Sequence, residues 1–245
     1  MRNKGPVNSM EEARGFWEAC HQAESIQHLS GADYDKTISF LKLVDFIKPG
    51  KTALEVGVGM GYVTKGLIDA GLLPSAADIS QTALDRVQQY CDEVYIVEDL
   101  DRLPSDYFDI IICCNMVQHV HTELLKQELE HFMRALKGGG VFAIQFVSND
   151  KHADTGAAAT LASVQAGVLC RSPDVMREIF GGLGGECSHV LNVGGLKKGL
   201  VNGNHVFHVT KKSEEPKKKK KDKKDKKNPS AQIRSGMGYD NPHDY

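Results

Sequence analysis

A chain of 245 residues, 41% hydrophobic and 25% charged, with six cysteines, carries enough apolar material for one sizeable core without disulfide or metal staples. Its formal charge of -2 divides unevenly: residues 211–227 hold eleven Lys against four acids, residues 228–245 add -1, and residues 1–210 are left with -8, which argues against a basic nucleic-acid-binding body. No run approaches the roughly eighteen apolar residues of a membrane span, and the N-terminus lacks a signal-type apolar core, so a cytoplasmic protein with no transmembrane segment is expected.

Residues 9 to about 47 read as two helices, the second carrying Ile38, Leu41, Val44 and Ile47 at a spacing of three and stopped by Pro49-Gly50. Apolar runs near 52–57, 75–79, 93–97, 108–114 and 141–147 then alternate with amphipathic segments. That pattern predicts a mostly parallel sheet covered by helices on both faces. Before the fifth run, Thr122 suits an N-cap, and Leu125, Leu129, Phe132, Met133 and Leu136 make one apolar helical face. Residues 148–170 turn Ala- and Gly-rich, after which Ser172-Pro173-Asp174 places a cap, a first-turn proline and an acid at a helix start. Two last runs, 186–193 and 204–210, predict an antiparallel edge hairpin. The six cysteines, at 20, 91, 113, 114, 170 and 187, show no Cys-x-x-Cys spacing and read as free thiols.

The first strand runs straight into a glycine turn: Leu54-Glu55-Val56-Gly57-Val58-Gly59-Met60-Gly61. Such a turn lets a ligand lie against bare peptide groups at the start of the next helix. A dinucleotide fingerprint would need a third glycine where Tyr62 stands, and no Gly-Lys-Ser/Thr ending supplies a phosphate loop.

The acid-x-Gly-x-Gly-x-Gly pattern resembles the first motif of the Rossmann-like (class I) S-adenosylmethionine (SAM) dependent methyltransferases. The resemblance continues in order through Ala77-Asp78-Ile79-Ser80, Glu98-Asp99-Leu100-Asp101-Arg102-Leu103-Pro104, Phe108-Asp109-Ile110-Ile111-Ile112-Cys113-Cys114-Asn115 and Leu136-Lys137-Gly138-Gly139-Gly140-Val141, where Gly138 replaces the family's proline. It covers about residues 50–147. It implies a doubly wound, seven-stranded α/β sheet, mostly parallel with an antiparallel C-terminal edge hairpin, and SAM as cofactor. On the matched positions it implies Asp78 as acceptor of the ribose hydroxyls with Ile79 beside it, and Asp99 and Leu100 at the adenine. Glu55 would face the cofactor's ammonium, backed by Gly57, Gly59 and Gly61, and Asn115 would lie near the transferred methyl group. The helix opening near Tyr62 would offer its N-terminal donors to the cofactor's carboxylate.

Substrate should enter beyond the carboxyl ends of the fourth and fifth strands. His119 is the candidate catalytic base there, with a hydrogen-bonded structural role as its alternative, and His121 and His152 behind it. Trp17, Tyr34 and Tyr62 could line a pocket, although core packing fits Trp17 better. Cys113 and Cys114 are neighbours on a strand and point to opposite faces, so no metal is expected from them and the nearby histidines. No Asp/Asn-Pro-Pro-Tyr/Phe sequence follows the fourth strand and no Pro-Cys nucleophile is present, which turns the expectation from bases and glutamine amides towards a small-molecule acceptor, methylated at O or N. An RNA- or ribosome-associated methyltransferase and a non-catalytic SAM-binding scaffold stand as the alternatives. The expected organisation is a helical cap over 1–48, a methyltransferase domain over 49–212 and a disordered lysine-rich tail over 213–245. That tail could add weak, salt-sensitive contact with nucleic acid or another anionic surface.

Overall fold

The structure, a computed structural model, describes residues 10–23, 34–120, 122–148, 169–193 and 203–211. Seven strands, β1 (Thr52–Val56), β2 (Leu73–Asp78), β3 (Val94–Ile96), β4 (Phe108–Cys113), β5 (Leu136–Ser148), β6 (Gly185–Val193) and β7 (Gly203–Lys211), form one sheet in the order β3-β2-β1-β4-β5-β7-β6. The first five pair in parallel, while β7 runs antiparallel to both β5 and β6. The C-terminal hairpin expected from the sequence is therefore present, with its second strand inserted inside its first. Strand order reverses between β1 and β4, and in open α/β sheets such a switch point leaves a crevice at the carboxyl ends of the strands.

Among the described residues, six α-helices flank this sheet: α1 (Met10–Gln22), α2 (Tyr34–Phe40), α3 (Tyr62–Asp69), α4 (Gln81–Val87), α5 (Thr122–Ala135) and α6 (Pro173–Gly182). The pleat of β1, β4 and β5 divides their apolar side chains between two cores. Leu54, Val56, Ile111, Phe142 and Ile144 pack with Leu125, Leu129 and Phe132 of α5 and with Met176 and Phe180 of α6. Ala53, Ile110, Ile112 and Val141 face the other way, towards Ile38, Leu41, Val63 and Leu67. Burial on both faces explains why these strands read as continuous apolar runs.

Three local expectations are corrected. The helix predicted to continue to Ile47 stops at Phe40, and Val44 is 65% exposed. Its end is a Schellman turn: Lys42 adopts φ +57°, its N–H donates to Ser39 O, and the Leu43 N–H donates to Ile38 O. Lysine in the place glycine usually takes hides this stop from sequence reading. Thr122 is the first residue of α5 rather than its cap. β5 begins at Leu136, not near 141, because Leu136 pairs with Phe108 before the ladder slips through the glycines and resumes at Ile110 with Val141. By contrast, Ser172 caps α6 as expected, its Oγ accepting the Val175 N–H at 3.2 Å.

The amino-terminal edge of the sheet is tied by Asp109. Its carboxylate accepts from Lys51 Nζ and Lys137 Nζ, each at 2.8 Å, and from the Thr52 N–H at 3.1 Å and hydroxyl at 2.9 Å. Burial works upward on this carboxyl, but Lys137, Lys51 and Thr52 outweigh it and hold its pKa well below the carboxylate range.

Candidate functional site

The turn after β1 is built from three left-handed glycines, Gly57, Gly59 and Gly61, at φ +77°, +55° and +79°. A Cβ at Gly61 would lie 2.5 Å from Val87 Cγ1, and one at Gly57 would lie 3.0 Å from Met116 Cβ. The middle glycine differs: a Cβ at Gly59 meets nothing within 4 Å, and Gly59 lines a cavity of about 370 Å³ at the carboxyl ends of the strands. Bare backbone therefore fronts open space, as a closely seated ligand requires.

Carboxylates ring this cavity. Asp78, at the end of β2, accepts the Ser80 N–H at 2.9 Å on Oδ1 and the Gly59 N–H at 3.3 Å on Oδ2. Burial pushes its pKa up against those donors. Glu55 is buried in the strand beneath, takes a hydrogen bond from the Thr64 hydroxyl of α3, and is pushed up to about 8 by burial, the nearby Asp78 adding to the effect. Ile79 and Leu100 complete this end. Asp99 is not brought to the cavity. Its side chain is 46% exposed and pairs with Arg102 at 3.1 Å, and Gly61 likewise lies behind the lining, where it seats α4.

At the other end stand Asn115, Gln118 and His119, all following β4. Asn115 adopts φ +57°, a conformation few non-glycine residues hold without support. The support is a relay: the Asn115 N–H donates to Gln145 Oε1 at 2.7 Å, and Gln145 Nε2 donates to Asn204 Oδ1 at 2.9 Å. The turn Val117–His119 is clamped from the far side by the buried Arg171, which donates to Val117 O at 2.8 Å and to Val120 O, while the Leu169 N–H donates to Gln118 O at 2.7 Å. Cys114 lines the cavity while Cys113 is buried in the α5-side core, the opposite facing that their adjacency implied.

The cavity's outer wall comes from α1. Trp17 lines it and meets the His119 ring edge-on at 4.9 Å, so Trp17 is a pocket residue and not the core residue the sequence suggested. Tyr62 lines the cavity as well, whereas Tyr34 packs against the α2–α3 core. Glu18 anchors α1 by accepting from Ser80 Oγ at 2.7 Å, the Thr82 N–H at 3.3 Å and the Thr82 hydroxyl. Those hydroxyls, Thr82 first and then Ser80, bring Glu18 down to about 2. Arg86 adds a second tie, donating to His21 O at 2.6 Å.

Four site residues escaped sequence reasoning. Gln145 and Arg171 carry no local signature, and Gln118 stood unremarked beside His119. Glu128 left one: it is an acid on the apolar face of α5, one turn before Phe132. His121, His152 and the 213–245 tail lie outside the described residues.

Residues 54–144 match the family model described as "Methyltransferase domain". Among curated proteins, the biotin biosynthesis bifunctional protein BioHC of Teredinibacter turnerae is 29% identical over 59% of this chain and 28% of its own length. The magnesium-protoporphyrin O-methyltransferase of Synechocystis sp. is 29% identical over 40% and 45%. The chain thus spans less than half the length of these curated relatives. Among solved structures, the Burkholderia thailandensis 1,6-didemethyltoxoflavin-N1-methyltransferase, with 1,6-didemethyltoxoflavin and S-adenosylhomocysteine bound, shares the fold at a TM-score of 0.61 and 15% identity, over 84% of this chain and 93% of that one. A Haemonchus contortus phosphoethanolamine N-methyltransferase 2 does so at 0.63 and 17%, over 84% and 60%. Residues 54–144 thus match a methyltransferase domain, and the sheet that builds this cavity has the Rossmann-like fold of the class I SAM-dependent methyltransferases.

Proposed function

We propose that this protein transfers a methyl group from SAM to a small-molecule acceptor, at oxygen or nitrogen. The observation that carries this reading is one continuous cavity with two chemically different ends. A glycine-backed, carboxylate-lined end suits a nucleoside-bearing cation, and an end made by Trp17, Gln118 and His119 suits an acceptor.

At the first end the residues present fit the cofactor. Asp78 is held by two backbone donors with lone pairs left to accept ribose hydroxyls. Gly59 admits close approach, and Glu55 can ionise against an ammonium group, its pKa falling when a cation arrives. Asn115, fixed by Gln145, presents its amide where the methionine portion would pass. When bound, the cofactor supplies an electrophilic methyl group on a sulfonium centre.

Displacement at such a methyl is in-line, and alignment of the acceptor with exclusion of water supplies much of the acceleration. Trp17 and the anchored α1 wall off that end. His119 takes the acceptor's proton where the nucleophile is a hydroxyl or a protonated amine. The Arg171 clamp on both sides of its turn sets the ring's position, and Trp17 limits its rotation.

The test is transfer of labelled methyl to a panel of phenols, carboxylates and amines, followed by the His119→Ala variant on the best acceptor. Turnover should fall by roughly 10²–10⁴ while S-adenosylhomocysteine affinity stays the same. Unaltered turnover would remove His119 from the chemistry.

A further inference from the structure

The sequence pattern points to Asp99 as the acceptor for the exocyclic amine of the cofactor's base, yet the Asp99 carboxylate pairs with Arg102 at the surface. The cavity wall next to it is otherwise apolar: Val97 and Leu100 from the segment after β3, and Leu124 and Phe132 from α5. Glu128 is the ionisable member of that wall. It is 7% exposed, faces the cavity, and has no hydrogen-bond partner among the described residues.

A carboxyl left so costs stability, because burial without a partner penalises its charged form and wastes its acceptor capacity. Burial accordingly pushes Glu128 up to about 7, and Asp78 adds to the effect. The influence of Asp78 also locates Glu128. It lies within electrostatic reach of the residue placed to hold the ribose, whose next substituent is the base. A site of one acceptor in apolar walls suits a flat aromatic ring with an amine at its edge. Unsatisfied buried polar groups ask for an explanation, and a ligand that completes them is one.

We propose, building on the cofactor reading above, that Glu128 rather than Asp99 accepts the hydrogen bond from the exocyclic amine of the cofactor's base and so sets preference for adenine over a 6-oxo purine. Ionised, the carboxyl offers acceptors alone, and an amine at the base edge favours that form. A 6-oxo purine would turn another acceptor towards it.

The experiment is calorimetric titration of wild type, Glu128→Gln, Glu128→Leu and Asp99→Asn with S-adenosylhomocysteine, adenosine and inosine, with Tm recorded for each free protein. Wild type should prefer adenosine to inosine. Glu128→Leu should bind S-adenosylhomocysteine about tenfold to a hundredfold more weakly and lose most of that preference. Glu128→Gln, which keeps an acceptor oxygen, should retain part of it, and Asp99→Asn should retain all of it. The Tm of both Glu128 variants should equal or exceed that of wild type, since an unpartnered buried carboxyl is removed. Unchanged affinity and preference in Glu128→Leu, loss of preference in Asp99→Asn, or a Tm lowered in both Glu128 variants would overturn the assignment while leaving the cofactor reading intact. Failure of wild type to bind S-adenosylhomocysteine would overturn both.

Discussion

Carboxylates stand at both ends of the parallel strands, and the two ends treat them oppositely. At the amino-terminal end Asp109 meets two lysines and two donors of Thr52 and is held ionised. At the carboxyl-terminal end Glu55, Asp78 and Glu128 surround an open cavity, have few donors, and are all pushed up by burial. On the cofactor reading proposed above, the same side-chain chemistry serves cohesion below and ligand capture above. What separates the two is whether the chain itself supplies the partners. Groups that hold the fold together are satisfied within it, while groups kept for a ligand cost stability until the ligand comes.

Paired substitutions break or sharpen this contrast. Asp78→Ala should weaken S-adenosylhomocysteine binding by about 1.5–3 kcal/mol while leaving the Tm of the free protein level or raised. Calorimetry and thermal melts read the two effects separately, and a lowered Tm with unchanged affinity would reverse the assignment. Asp109→Ala should do the opposite, costing about 1–3 kcal/mol of stability by leaving Lys51 and Lys137 without their carboxylate, with affinity unchanged. A loss of binding at equal stability would show the lower end to be part of the site.

The smallest effect is in pH dependence. Glu55 holds its proton in the folded protein to about pH 8, against an ordinary carboxyl near 4.5. The folded state therefore binds more protons than the unfolded state between those values, and stability falls as pH rises across that window. Asp109, shifted down, contributes stability that is present above the ordinary carboxyl pKa and lost as pH falls below it. Glu55→Gln should flatten the decline in Tm between about pH 5 and pH 8 without touching the acid limb, Glu128 and Asp78 contributing to the slope that remains. An unaltered slope would mean that Glu55 titrates as an ordinary surface acid.

Much of this molecule was legible in its sequence because the informative signals are local. Glycine spacing after an apolar strand marks the cavity's floor, and an acid closing the second strand marks Asp78. The apolar runs locate the strands, although β5 starts well before its run, and in β1 and β4 burial on both faces writes itself as uninterrupted hydrophobicity. What stayed hidden depends on distant partners. Lys42 ends a helix through a backbone conformation that its side chain does not advertise. Gln145 and Arg171 act only on loops that the fold brings to them. Trp17 belongs to the cavity because Glu18, its neighbour in α1, finds Ser80 and Thr82 far along the chain. Asp99 fitted its motif by position and yet spends its carboxylate on Arg102, three residues away.

The most direct test of the central claim is calorimetric titration of the purified protein with S-adenosylhomocysteine at neutral pH, beside NADH at the same concentration. Saturable one-site binding of the former alone, abolished or strongly weakened by Asp78→Ala, is the predicted result. Absence of binding by a protein that melts cooperatively, or equal binding of NADH, would contradict the reading of this cavity as a SAM site.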